Sequence, residues 1–221
     1  MILLIIGLVL FLWTVVLSII RLHAIIPYFT PTPPPRFVDR KVRPAIMILL
    51  GSGGHTAEML SLFSTMSPDR YNRTYVFSSG DTFSAAKAVA FERALGPSKS
   101  GKFGYKLVEI PRARRVGQSW LTTPFSCLLC LWGCLKAFMN PGIPNTLVCN
   151  GPGSAVMMVA ICLLFRFFGF RTRTVYVESF ARVKTLSLSG KLLYPFVDRF
   201  VVQWPGLKEK WTRAEYLGVL V

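Results

Sequence analysis

One stretch restricts the fold more tightly than any other: Ala45-Ile46-Met47-Ile48-Leu49-Leu50, followed at once by Gly51-Ser52-Gly53-Gly54-His55-Thr56. The apolar run does not alternate with polar residues, which suits a strand covered on both faces of a sheet. Three glycines in the next four positions stop it. From Thr56 the period turns helical, with Met59, Leu60, Phe63 and Met66 at three- and four-residue spacing. A strand, a glycine turn and a helix present backbone N–H groups and a helix N-terminus to an anion. The sixth position is Thr56 rather than glycine, and no Gly-Lys-Ser/Thr follows, so neither the dinucleotide fingerprint nor the NTPase loop is matched. A tight turn without a ligand is the alternative. His55 adds chemistry to the turn, since imidazole serves as general base, general acid or phosphate donor near neutral pH. A capping or satisfied core histidine is its structural alternative.

The 221 residues allow one anchor and one ordinary domain. A net charge of +16 goes with 52% hydrophobic content, which excludes disorder. A basic, apolar chain points to anionic lipid or a phosphate-bearing substrate. Nucleic acid is disfavoured, because no recognition module is present. Cys127, Cys130 and Cys134 fall on one helix face. With no histidine nearby they read as buried small apolar residues of a reducing compartment. No metal is demanded, as there is no Asp-x-Asp, and no cofactor is expected.

Residues 1–20 carry no charge and are long enough to cross a bilayer, which takes ~20 residues. The segment lacks the basic start and cleavage site of a signal peptide, so residues 1–22 read as a retained single-pass anchor. Arg21, Arg36, Arg40, Lys41 and Arg43 all follow it, which puts the rest of the chain on the cytosolic side. Residues 23–43 form a Pro-rich basic linker. Residues 44–206 then alternate between strand and helix. Strands are expected at 45–50, 74–78, 106–111, 146–149, 174–177 and 200–202, with helices at 83–94, 124–139, 155–168 and 181–194. This is an α/β pattern: a doubly wound, mostly parallel, Rossmann-like sheet. The apolar helices 124–139 and 153–168 are short for spans. They either bury against the sheet or dip one face into the membrane interface, with Arg166, Arg171 and Arg173 near headgroups.

Ligands of such sheets bind past the strand C-termini. Gly51, Ser52, Gly53, Gly54 and Thr56 lie there, as does a second glycine turn, Asn150-Gly151-Pro152-Gly153-Ser154. Two amide-rich turns can hold the two phosphates of a pyrophosphate. Arg112, Arg114 and Arg115 follow another strand end and either grip phosphate or line an exposed loop. Glu178 ends the fifth strand, placed to accept a proton from a substrate hydroxyl or to orient His55; an ion pair with Arg182 is its alternative. One sheet gives one wall of a cleft. The second wall is expected from a partner, on which the apolar tail 207–221 docks.

The N-terminal span, Gly51-Ser52-Gly53-Gly54-His55, Asn150-Gly151-Pro152-Gly153, Val175-Tyr176-Val177-Glu178-Ser179, Gln203-Trp204 and Tyr216-Leu217-Gly218-Val219 together carry a resemblance over essentially the whole chain. It resembles the membrane-anchor subunit of the eukaryotic UDP-N-acetylglucosamine transferase of the dolichol-linked, asparagine-linked glycosylation pathway. That family is in turn similar to the N-terminal, acceptor-side half of the bacterial lipid II-forming GT-B transferase, whose loop has glycine where this chain has Leu50. The resemblance implies addition of the second N-acetylglucosamine to dolichol pyrophosphate-linked N-acetylglucosamine. It implies a soluble catalytic glycosyltransferase subunit as partner, with Gln203, Trp204, Tyr216, Leu217, Val219, Leu220 and Val221 as the docking residues. It places the chain in the endoplasmic reticulum membrane and nuclear envelope, with room for association with other early dolichol-pathway enzymes. His55 and Glu178 become the catalytic candidates. A second reading is a purely structural scaffold for a competent soluble enzyme. A nicotinamide-dependent dehydrogenase fits less well: the acidic ribose ligand expected about 20 residues past the loop has no good candidate, as Asp69 and Asp81 lie in turn-like settings.

Overall fold

A computed structural model of the protein describes residues 2–30, 43–67, 69–96, 104–115, 117–151 and 153–220. Linker residues 31–42, which hold all of its prolines but the buried Pro27, the basic glycine loop near residue 100, Pro152 and Val221 lie outside the described residues. The elements run α1 (Ile2–Ile25), β1 (Ala45–Leu50), α2 (Gly54–Leu62), β2 (Asn72–Ser78), α3 (Thr82–Leu95), β3 (Tyr105–Ile110) and α4 (Thr123–Met139). They continue with β4 (Thr146–Asn150), α5 (Ser154–Phe167), β5 (Arg173–Val177), α6 (Leu188–Leu193), β6 (Arg199–Val202), α7 (Pro205–Lys210) and β7 (Ala214–Tyr216).

Local chemistry sets the helix ends. Asp81 caps α3 by accepting from the Ser84 N–H, and Ser187 caps α6 by accepting from the Gly190 N–H. Pro124 sits in the first turn of α4, where its missing N–H costs nothing.

All the strands pair in parallel, in the order β3-β2-β1-β4-β5-β6-β7. Strand side chains alternate between the faces. Met47 and Leu49 join the core under α4 and α5, while Ile46, Ile48 and Leu50 pack with Met59 and Leu60 of α2 and with Phe63 just after it. Helices therefore cover both faces, which is why β1 has no polar alternation. The strand order reverses between β1 and β4, and both glycine turns leave from the C-terminal ends of those two strands. That is the switch point where doubly wound sheets hold ligands.

A buried ion pair braces α3 on the sheet. Arg73 donates to Glu92 at 2.5 and 2.8 Å, and the Tyr75 hydroxyl donates to the same carboxylate at 2.6 Å. On the other face Arg166 of α5 pairs with Asp198.

The structure differs from the sequence reading in three places. A seventh strand, β7, lies inside the segment read as tail, registered as Phe200↔Ala214 and Val202↔Tyr216. With three residues, Ala-Glu-Tyr, it has no apolar run of its own. The helix expected over 181–194 is confined to α6, and residues before it form turns tied to Glu178. The N-terminal helix runs on to Ile25, past the expected end at 22.

Helix α1 stands clear of the domain along its length, with Leu4, Leu10, Phe11 and Trp13 exposed. It is fastened at its end. Arg21 donates to the carbonyls of Arg166 at 2.7 Å and Phe167 at 3.1 Å, at the C-terminus of α5. A cation there meets the negative end of the helix dipole.

Candidate functional site

The first glycine turn is open on its outer side. Ser52, Gly53 and Gly54 are exposed, whereas Gly51 is buried. Gly53 precedes α2 with φ +66°, a conformation that a side-chain-bearing residue rarely adopts. Thr56 faces inward. Fully buried, its hydroxyl donates to the Gly51 carbonyl and lies 2.6 Å from Ser84 Oγ, which donates to Asp81 Oδ2 at 2.7 Å. Thr56 therefore holds the turn in shape and does not face a ligand. Asp81 is buried and uses one oxygen on the α3 cap and the other on the same network.

Asn150 joins the two turns. Its Nδ2 donates to the His55 carbonyl at 2.9 Å across 95 residues of sequence. The buried Oδ1 of Asn150 has no partner among the described residues. Gly151, at φ +71°, lies directly under the His55 ring, where an added Cβ would come within 2.8 Å of His55 Cγ. Only glycine fits both the backbone and the ring. Ser154 opens α5, buried, with its hydroxyl 3.4 Å from Ser78 Oγ. Gly153 is exposed, 3.7 Å from Ala113 Cβ for an added Cβ, so the loop after β3 flanks the second turn.

That loop carries the arginines. Arg112, held by the Ser79 carbonyl at 2.9 Å, lines a cleft of about 360 Å³ with Arg115, Gln118, Thr122, Ser126 and Leu129. Arg114 goes elsewhere. It donates to the Gln118 carbonyl at 2.8 Å and lies over the Trp120 ring at 4.0 Å.

The two acidic and basic candidates for proton transfer part company. His55 is about a third exposed (35%). Its ring packs on Gly151 through Cγ, Cδ2 and Nδ1, which turns the edge carrying Nε2 outward. Glu178 is fully buried. Its carboxylate accepts from the Ser187 N–H at 3.0 Å, the Ser187 hydroxyl at 3.1 Å and the Ser179 N–H at 3.2 Å. Burial pushes this carboxyl above the usual range, opposed by those donors and by Arg182. Glu178 thus organises the loop 179–190, closed off from solvent, and among the described residues its carboxylate bonds Ser179 and Ser187, with no hydrogen bond or ion pair to His55. The alternative, a Glu178–Arg182 ion pair, is not formed among the described residues, where Arg182 gives only a through-space attraction. Tyr176 extends the network, its hydroxyl 3.2 Å from Ser187 Oγ and donating to the Gly151 carbonyl at 3.3 Å.

The carboxylate beside His55 is instead Glu58, one turn along α2, with Oε2 at 3.8 Å from Nδ1. Sequence reading passed over it, although its i,i+3 spacing from His55 is visible.

Near the tail, Gln203 is buried. Its Nε2 donates to the Glu178 carbonyl at 3.1 Å and its Oε1 accepts the Leu220 N–H at 3.2 Å. The Trp204 indole donates to the Phe180 carbonyl at 2.7 Å. Leu220 turns in against the α2 side of the core. Tyr216, Leu217 and Val219 stay exposed.

A model of the family described as "Oligosaccharide biosynthesis protein Alg14 like" matches residues 46–220, the sheet, both glycine turns and the tail. The chain belongs to the Alg14 family. Among its Alg14 relatives, the Schizosaccharomyces pombe protein named UDP-N-acetylglucosamine transferase subunit alg14 is 49% identical over 178 residues, covering 79% of this chain and 82% of that protein. The Rattus norvegicus protein of the corresponding name is 40% identical over 213 residues, 93% of each chain. The crystal structure of Acinetobacter baumannii MurG matches with a TM-score of 0.53 at 12% identity, over 74% of this chain and 42% of that one. At that identity the likeness is one of fold: this Alg14-family chain is the Rossmann-like half of a GT-B architecture, spanning under half of the bacterial chain.

Proposed function

We propose that the chain is the membrane-anchored, acceptor-binding subunit of a heteromeric UDP-N-acetylglucosamine transferase. In this reading it adds the second N-acetylglucosamine to N-acetylglucosamine-pyrophosphate-dolichol at the cytosolic face of the endoplasmic reticulum. The observation that carries the reading is the meeting of two glycine turns at the switch point, tied by Asn150 and roofed by His55 on Gly151. The names of the relatives support the donor sugar. The open amides of Ser52, Gly53 and Gly54 are suited to the acceptor pyrophosphate, with Arg112 and Arg115 at the neighbouring cleft. The acceptor 4-hydroxyl attacks C1 of the donor sugar, the C1–O bond to UDP breaks, UDP leaves with the electron pair, and the hydroxyl proton passes to His55 Nε2.

The donor wall belongs to a soluble catalytic partner, and the isolated chain is inactive. Exposed Tyr216, Leu217 and Val219, presented by Gln203 through Leu220, support the tail as the docking surface. Membrane attachment rests on α1, whose Leu4–Ile25 stretch has mean hydropathy 2.5. It is backed by the exposed Phe125, Leu128, Leu129 and Trp132 of α4 and by Phe168 and Phe170 beside the root of α1.

The test is transfer of radiolabelled N-acetylglucosamine to lipid-pyrophosphate-N-acetylglucosamine, with and without the partner subunit, for wild type and Gly53→Trp. Activity that needs both chains and is lost in Gly53→Trp, with the complex intact, supports a shared active site. Full activity with the turn blocked makes the chain a scaffold.

A further inference from the structure

His55 Nδ1 is enclosed and has no hydrogen-bond partner among the described residues, yet a carboxylate oxygen of Glu58 faces it at 3.8 Å. Glu58 is not loose. Its other oxygen, Oε1, accepts the Ser179 hydroxyl at 2.8 Å, a contact spanning 121 residues. Ser179 is buried just past β5, and its own N–H donates to the buried Glu178 at 3.2 Å. A line of contacts therefore runs from the sheet through Ser179 to Glu58, and on to the inward edge of the imidazole.

We propose that Glu58, held by Ser179, is the positioning residue for His55. This rests on the reading that His55 receives the acceptor's proton. A neutral imidazole carries its proton on one nitrogen and a lone pair on the other. A carboxylate at Nδ1 fixes the proton there, which leaves the lone pair on Nε2, the edge away from the enclosed Nδ1. Once Nε2 takes the substrate proton, the same carboxylate stabilises the imidazolium. At 3.8 Å the pair is at ion-pair distance, and a side-chain shift of under ~1 Å closes it to a hydrogen bond, as is common when a substrate-free site fills. The expected orienting carboxylate, Glu178, is spent on Ser187 and Ser179, so its part in this arrangement is indirect: it fixes the serine that fixes Glu58.

The experiment compares His55→Ala, Glu58→Gln, Ser179→Ala and the Glu58→Gln/Ser179→Ala double variant. Each is made in the full chain with the catalytic partner subunit in lipid nanodiscs. The readouts are kcat, KM for the lipid acceptor, melting temperature, and the ring ¹⁵N signals of His55. Glu58→Gln is expected to lower kcat about 10²-fold with KM and melting temperature unchanged. The His55 ring proton is expected to leave Nδ1. Ser179→Ala is expected to lose about tenfold, and the double variant no more than Glu58→Gln, because both act through one contact. An inactive His55→Ala beside a fully active Glu58→Gln overturns the inference alone. A Glu58→Gln loss that tracks melting temperature while the tautomer stays put also overturns it. A fully active His55→Ala overturns the underlying reading as well.

Discussion

Gly151 bears the sharpest constraint of any single residue. Its φ of +71° and the His55 ring above it act together. Alanine there costs about 1–2 kcal/mol of backbone strain and drives its Cβ into the imidazole. Gly151→Ala is expected to lower the transfer rate about 10²-fold, the size of effect that a 1 Å misplacement of a reacting group produces. Steady-state kinetics of the intact complex checks this, with partner co-purification unchanged. Arg73 and Glu92 make a contrasting case, remote from the site and fully inside. Glu92→Ala takes the carboxylate away from a buried guanidinium and deprives the Tyr75 hydroxyl of its acceptor. The expected loss is about 3–5 kcal/mol, read as a fall in melting temperature of roughly 6–20 °C by circular dichroism in detergent.

At the scale of elements, α4 has two unlike faces. Cys130, Cys134, Ala137 and Phe138 enter the core, and Phe138 stacks on Phe165 of α5 at 5.7 Å. Phe125, Leu128, Leu129 and Trp132 look outward, where Lys136 and Arg114 flank Trp132 and Trp120. The sequence reading left burial and membrane contact as alternatives for this helix; its two faces accommodate both. An apolar face bordered by cations suits an anionic lipid surface. In a chain lacking residues 2–25, replacing Leu128 and Trp132 by serine is expected to cut binding to anionic vesicles about tenfold or more while the melting temperature holds. Vesicle sedimentation gives the answer.

For the whole molecule, the sheet continues beyond where its sequence pattern fades. Helix α7 and β7 bring the tail onto the edge of β6, and Gln203 clips Leu220 to the fold. Leu217 and Val219 are thus presented outward on a fixed backbone, alongside Tyr216. Leu217→Asp with Val219→Asp is expected to abolish co-purification of the catalytic partner and, with it, transfer activity, while leaving the circular dichroism melt intact. Gln203→Ala is expected to weaken the same interaction more mildly, by releasing Leu220.

Strands β1 to β6 and both glycine turns were legible from local pattern, because the period of an apolar run and the position of glycine act over neighbouring residues. The membrane-length helix was legible for the same reason. Which carboxylate meets His55 was not. Glu178 and Glu58 look equally available along the chain; strand order brings Ser179 onto Glu58, and the loop 179–190 closes over Glu178. Thr56 and Gln203 turned inward, and three-residue β7 formed, for a like reason. Burial of one side chain and pairing of an edge strand depend on neighbours tens of residues away, and the packing of helices on the finished sheet selects them.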